Sequence, residues 1–420
     1  MARNVSWGQE GGTTTALSTI DGFLKEDYVL QNIQDTVNMA TFLLSKMGKQ
    51  ATTAGRRFRF PLRLGVGEGQ GNRKERTTLP AAGFGSYDEA FGNTIFQYGA
   101  LDISGPAIAA TEGNRATYTQ ALKQAIKDCR DGYRLETYRQ AWGDGTGTIA
   151  TVVGTGSGKT ITVRAPYGLT YDENALSDEV KTRMFRKNMP LLFVTAGTAT
   201  YVTAVNGDGT ITVNDTVSYT AGERIVRGDT TLLNNDGNEY LGVSAVMQAT
   251  GTYLGVPRAG EPGWQANVIE LAGATPSEDA LQNAWDTSEI QGDGMSAPDM
   301  LLSEHAARRV YINLLAAKKQ YVQPTVLEGG FSALNYNGVN WVVDKLAPPQ
   351  RVYYLRSADW TWFVMKDIGW ADEDGKVLKW AGADSYQAFL RAYRQIACTH
   401  PANQTVLTGW VAGGATEPES

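Results

Sequence analysis

Two histidines and two cysteines are all that this 420-residue chain holds of the side chains that most often ligate metals or serve as nucleophile and base. His305 and His400 stand in no H-E-x-x-H or comparable spacing, and Cys129 and Cys398 lie far apart with no C-x-x-C pair. That pattern excludes a zinc-type cluster and a disulfide framework, and it suits a reducing cytoplasm. A G-x-S-x-G nucleophile elbow is also missing, because Thr155 stands where Ser157 would need the first glycine. No stretch reaches the ~18 apolar residues needed to span a bilayer, so no membrane partner is expected. The start, "MARNVSWGQEGG", lacks the apolar run of a secretory signal. An excess of basic charge is lacking as well. The net charge is −6, which argues against a surface that coats nucleic acid and leaves room for one that encloses it without gripping it. Proline is sparse, 14 residues against 47 glycines. Glycine mixed with Thr, Val and Tyr implies many tight turns between short strands. The chain is 42% hydrophobic and 20% charged, an ordinary globular composition, and it is long enough for two or three domains.

One motif competes with this list of absences. "VVGTGSGKTITV" at 152–163 looks like a loop that cradles nucleotide phosphates. Three observations count against it. The motif G-x-x-x-x-G-K-[ST] requires glycine at 153, where Val153 stands. A helix must follow, since its N-terminus helps bind the phosphates, yet "ITVRAPYG" is β-branched and broken by Pro166. The pattern also recurs in "VTAVNGDGTITV" at 202–213, without a lysine and with a strong hairpin signal at Asn206-Gly207. Both copies therefore read as hairpins. Asp344, after the apolar run of "VNWVVDK", is a candidate for a second, metal-holding carboxylate, in a pattern common to any buried strand.

Along the chain, residues 1–16 form a polar arm. Leu30, Ile33, Val37, Ala40, Leu44 and Met47 then mark one apolar seam of a helix stopped by Gly48. Residues 51–105 begin and end with strand-like alternation around a glycine- and charge-rich middle, an extended ribbon too slight to bury its own core. Residues 114–142 form the longest helix, on the order of 40 Å. Its face is marked by Tyr118, Leu122, Ala125, Ile126, Cys129 and Tyr133, with Asn114 as cap and Gly143 as stop. Residues 144–240 switch to a period of two. "PSEDALQNAWD" reads as a helix capped by Ser277, with Glu278 and Asp279 suiting its dipole. "PDMLLSEHAARRVYINLLAAKKQ" reads as a strand ending at Leu302 and a helix capped by Ser303, an α/β pair. "VNWVVDKL", "RVYYLRS", "TWFVMKDIGWADEDGKVLKW" and "YQAFLRAYRQIAC" are strand-like. "DEDGK" at 372–376 lacks the further ligands of a calcium loop and is a turn at Asp374-Gly375. Residues 411–420 form a polar tail. No catalytic, cofactor-binding or metal-binding residue is expected.

The unusual charge feature is the ribbon. Arg56, Arg57, Arg59, Arg63, Arg73, Lys74 and Arg76 stand against Glu68 and Glu75 alone between positions 56 and 76. Such a stretch can be a solvated edge that resists aggregation. It can also be an arm that docks on the acidic surface of a neighbouring copy, and these seven residues are the candidate subunit interface. Nucleic-acid binding ranks third, since few aromatics interleave with the arginines.

The order of parts resembles the major capsid proteins of tailed bacteriophages, with the Hong Kong ninety-seven fold. "ATGTYLGVPRAGEPGW", "SEDALQNAWD…GMSAPDMLLSEHAARRVY", "YNGVNWVVDKLAPPQRVYYL" and "FLRAYRQIACTHPANQTVLTGW" carry the likeness beside the arm, ribbon and long helix. The resemblance implies an α+β fold in these segments: an N-terminal arm at 1–50, an extended β-loop at 51–105 and a spine helix of a peripheral domain at 106–143. An inserted β-rich domain follows at 144–240 and the continued peripheral domain at 241–277. The axial α/β domain with its return strands then takes 278–383, and closing strands with a tail take 384–420. It implies a non-enzymatic shell protein that self-assembles as hexamers and pentamers into an icosahedral head around double-stranded DNA. The shell would be assembled in the host cytoplasm and end in the virion. Portal, decoration proteins and a separate scaffolding protein are the implied partners, the last because the spine arrives too early for a long scaffold before the arm. Some relatives crosslink a lysine of the extended loop, and Lys74 is the only lysine between 50 and 122. The rival readings are an encapsulin-type compartment, a nucleotide hydrolase at 154–160, and a β-rich adhesin or tail protein.

Overall fold

The computed structural model describes residues 42–51, 57–104, 115–172, 176–229, 235–292, 297–317, 325–326, 332–372, 379–380 and 385–411. Leu30, Ile33, Val37, Ala40, Arg56, Asn114, the turn at Asp374-Gly375 and the tail from 412 lie outside those residues, as do the side chains of Tyr118 and Leu122. The chain divides into two units. One includes Thr94–Tyr138 and Val364–Arg394, and the other includes Lys46–Asn93, Arg139–Phe363 and the residues from Gln395 on.

In the first unit the long helix Arg115–Trp142 contributes all but its last turn. Strand Ile95–Ser104 runs antiparallel to the strand that begins at Ser385, in register from Ser104↔Ser385 to Ile95↔Arg394. Tyr133 of the helix packs on Ile368, Leu390 and Ala392. Gly99 lets the helix approach, because a Cβ there would stand 3.3 Å from the Tyr133 ring and 3.4 Å from Cys129 Sγ. Thr137 Oγ1 donates to Tyr133 O within the helix and lies 3.1 Å from Gln97 Oε1 on the strand. The expected 51–105 ribbon is therefore divided. Its last ten residues leave for this sheet, because their alternate side chains have a helix to pack against. Strand Trp360–Trp370, expected with the axial segment, sends residues 364–370 to this unit for the same reason.

The second unit holds a seven-stranded mixed sheet. Its order is Asn267–Glu270, Thr405–Thr408, Arg351–Leu355, Met300–Ser303, Val339–Val343, Ser332–Tyr336 and Thr325–Val326. Met300–Ser303 and Val339–Val343 are parallel neighbours, with helix His305–Ala317 following the first of them, as a strand–helix alternation dictates. Helices Glu278–Gln291 and His305–Ala317 cover one face through Leu281, Trp285, Val310, Tyr311, Trp341 and Leu407. Ser277 caps the first of them, its side chain accepting from Ala280 N at 3.1 Å. Ser303 does not cap the second. It is the buried last residue of its strand, its hydroxyl taken by Glu304 O and Trp341 Nε1. Gly48 likewise opens a strand, Gly48–Ala51, instead of stopping the short helix Phe42–Lys46.

A closed six-stranded barrel lies between the long helix and the seven-stranded sheet in sequence. Its order is Arg224–Arg227, Thr148–Val152, Gly156–Arg164, Thr210–Tyr219, Thr198–Val205 and Pro190–Phe193. The two Thr-Ile-Thr-Val copies are neighbours in it. Thr160 faces Thr212, Ile161 faces Ile211 and Thr162 faces Thr210, so the repeat meets itself about a local dyad. Ile161, Ile211 and Val163 are fully buried. Closure leaves no strand edge to pair with another chain. Replacing Ile161 or Ile211 by Ala should cost about 2–5 kcal/mol each, the range for emptying a packed site. The pair should be non-additive because the residues touch. Denaturant unfolding of the single and double variants measures both, and a cost below about 0.5 kcal/mol, the range of an exposed site, would contradict the dyad core.

Candidate assembly interface

Lys159 is exposed at a break in register between Gly158 and Thr160, on a strand that continues to Arg164. The residues after Lys159 continue as strand, so the helix that a phosphate-binding loop leads into does not follow it. Among the described residues no three His, Cys, Asp or Glu side chains group to hold a metal, and no helix is long and apolar enough to cross a membrane. Burial pushes the Cys129 thiol up to about 11 and holds the Cys398 thiol well above its ordinary value, which keeps both as inert thiols. His400 lies on the surface, 3.4 Å from Asp359.

The ribbon is what the fold presents outward. Strand Arg57–Arg63 pairs antiparallel with Tyr87–Asn93. Side chains alternate across a strand, so Phe58, Phe60 and Leu62 share one face and Arg57, Arg59 and Arg63 the other. The apolar face is held down. The Phe58 ring stacks on Phe363 with centroids 4.3 Å apart, and Phe60 lies 5.9 Å from Phe363 and 6.3 Å from Trp264. Gly92 admits Phe58, since a Cβ there would stand 2.4 Å from its ring. The arginine face is consequently the solvent face. Arg57 donates to Asn93 Oδ1 at 3.1 Å and stands over the Phe91 ring, and Arg59 lies 3.6 Å from Glu89. Contacts this exposed contribute little to stability. Arg63, Arg73, Lys74 and Arg76 form no ion pair among the described residues, and all four are exposed. Of the seven predicted interface residues, Arg56 alone lies outside the described chain.

Beyond Arg63 the two limbs stay close without a ladder. Leu64 N–H and Gly65 N–H donate to Ser86 O, and Ser86 N–H returns to Gly65 O at 3.2 Å. Farther out, glycines meet backbone to backbone. A Cβ on Gly83 would stand 2.6 Å from Glu68 and Gly69. Beyond the ladder the limbs expose Leu79 at 82% and Phe84 at 91%, and Tyr87, where the ladder begins, is exposed at 72%. Sequence reasoning noted only the charges here. For Leu79 and Phe84 the available signal was apolar residues in a stretch with no helical or strand period, because nothing in such a stretch gives them an interior to face.

No protein-family model and no curated protein sequence matches the chain. Among solved structures, the cyanophage A-1(L) capsid asymmetric unit superposes with a TM-score of 0.54 over 87% of this chain and 90% of that one, at 11% identity. The fold is the phage capsid fold. The holo-SrpI encapsulin complex from Synechococcus elongatus (TM-score 0.42, 10% identity, 90% of each chain) and the Mycobacterium phage Adephagia structure (TM-score 0.42, 12% identity, 90% and 91%) are more distant, and neither decides anything further. On this fold the ribbon is a preformed, basic, apolar-tipped arm. Gly83→Val should strain the tip by about 1–3 kcal/mol, the cost of overpacking. Trypsin should then cut faster at Arg73, Lys74 and Arg76 with the melting temperature of the whole unchanged. Unchanged cleavage would show that the glycine contacts do not hold the limbs together.

Proposed function

We propose that the chain is a structural shell protein, the major capsid protein of a tailed bacteriophage, with no enzymatic activity. Many copies assemble as hexamers and pentamers into an icosahedral head that encloses double-stranded DNA without reading its sequence. Assembly takes place in the host bacterial cytoplasm and the product is the virion capsid. A scaffolding protein, a portal and decoration proteins are the partners this reading brings with it. The observation that carries it is the outward basic face of a stiff ribbon, Arg57, Arg59 and Arg63, on a capsid fold. A monomer gains nothing from such an arm, whereas a shell needs one to reach the next subunit. In this reading the segments 1–50, 51–105 and 106–143 are the arm, extended loop and spine, and the barrel within 144–240 is an inserted domain. The net charge of −6 fits a wall that repels the DNA it surrounds.

Reversal of the arginine face tests it. Arg57→Glu, Arg59→Glu and Arg63→Glu together should leave a folded, soluble monomer, because these side chains sit on the solvent face. Sedimentation should show shells lost. Shells of normal yield from the triple variant would sink the interface, and shells that carry enzyme cargo instead of DNA would move the reading to a compartment.

A further inference from the structure

A short hairpin lies along the open edge of ribbon strand Tyr87–Asn93. Its strands are Thr252–Tyr253 and Val256–Pro257, with Thr252 facing Pro257 and Tyr253 facing Val256. The turn between them is Leu254-Gly255, at φ of 49° and 82°. Positive φ at both central residues defines a tight turn that ordinarily takes Asn, Asp or Gly first. Leucine is held there against its backbone preference, and its contacts are with the ribbon. Leu254 O accepts the Phe91 N–H at 2.9 Å, and a Cβ on Gly92 would stand 2.9 Å from Leu254 Cδ2. Gly255 lies against the Phe91 ring, since a Cβ there would stand 2.4 Å from it. Arg57 stands over that same ring, 5.6 Å from its centroid. The hairpin tip thus grips the ribbon at Phe91 and Gly92, beside an arginine of the outward face.

One buried side chain holds the base of this hairpin. Arg258 is 1% exposed. Its guanidinium donates to Thr250 O at 3.1 Å, to Ala245 O at 2.7 Å and to Val246 O at 3.2 Å, and stands 5.2 Å from the centroid of the Tyr253 ring. Among the described residues no carboxylate stands beside it, and Tyr253 and Cys398 are the titratable groups in its field. The Arg258 N–H adds a bond to Gly251 O at 2.9 Å. Tyr253 is fixed in turn, its O accepting Trp264 Nε1–H at 3.1 Å and its Oη accepting Cys398 N–H at 2.9 Å. Trp264 is the ring beside Phe60 of the ribbon. We propose that residues 251–258 are a clasp that sets how the ribbon leaves the body, and that Arg258 is its positioning residue. A buried cation without a counter-ion has only its carbonyl bonds to offset desolvation. The fixed fork of the guanidinium makes those bonds set the place of the hairpin's base. Ring stacking on one face of a strand tolerates pivoting about the stack, whereas a directional bond at the strand's edge does not. The clasp supplies that second restraint at Leu254, and through Phe91 it places Arg57.

The test is hydrogen exchange on the full chain, read as protection factors. Arg258→Met removes the fork and should lower protection of the Phe91 and Arg258 amides by about tenfold or more, the effect of buried carbonyls left without their donor. The sheet strands Met300–Ser303 and Arg351–Leu355 should stay protected. Arg258→Lys keeps the charge without the fork and should give a smaller loss at the same two amides. It also carries the test if the methionine variant does not fold. Gly255→Ala crowds the Phe91 ring from the other end of the clasp. Phe91 should then lose protection while the Arg258 amide keeps its own, because the base is intact. Unchanged Phe91 protection in Arg258→Met or in Arg258→Lys would overturn the clasp, as would a loss spread evenly over the sheet strands. Equal loss at Phe91 and Arg258 in Gly255→Ala would overturn the positioning role, since the base would then have no hold of its own. None of these outcomes depends on whether the chain builds shells.

Discussion

The stack of Phe58 on Phe363 decides what the ribbon can do. A strand has two faces, and burying one against the body exposes the other. With Phe58 and Phe60 committed to Phe363 and Trp264, the three alternate arginines have only solvent to face. Had the register slipped by one residue, the arginines would meet two aromatic rings and the phenylalanines would meet water. Phe58 and Leu62 are nearly fully buried although the ribbon has no core of its own. The outward charge therefore rests on packing at the root, and the glycine contacts at the tip extend that stiffness over the outer residues. A preorganised arm loses little conformational freedom on docking.

The barrel follows a different logic. It closes on itself through paired copies of one short motif, so its stability is local. Its mounting on the seven-stranded sheet uses polar contacts, among them Tyr167 Oη to Leu346 O at 2.8 Å, Asp172 N–H to Gln350 Oε1 at 2.9 Å and Arg351 to Thr170 O at 3.4 Å. Hydrophobic closure and polar mounting are thus separated, and they can fail separately. The carboxyl ends of the parallel strands Met300–Ser303 and Val339–Val343, where an α/β sheet ordinarily takes a ligand, lead into the loop that carries that mounting.

Local pattern was legible in the sequence. The long helix, the strand at Val339–Val343, the hairpin at Asn206-Gly207 and the Ser277 cap each carry their own period or capping residue. The phosphate-loop look-alike was legible for the same reason, because the β-branched run after Lys159 favours a strand over a helix, and a strand runs on to Arg164. Pairing was less legible. Ile95–Ser104 reads as a continuation of the ribbon, yet its partner begins at Ser385, and no period encodes a contact across that separation. Ser303 looked like a cap, but the strand needs it one residue longer. Buried charge was invisible altogether. Arg183 and Glu304, whose buried side chains lie 3.7 Å apart, look like surface residues, as does Arg258, which spends its guanidinium on the carbonyls of Ala245, Val246 and Thr250. At the ribbon, the basic residues were evident from composition, whereas the exposed Leu79, Phe84 and Tyr87 became apparent only once the limbs were seen to enclose nothing.

The role proposed for this chain is to join copies of itself. Electron microscopy of the purified chain, expressed alone and with a candidate scaffolding protein, tests it most directly. The account predicts closed shells, tubes, or rings of five and six subunits. A monomer that stays dispersed under every assembly condition would contradict it.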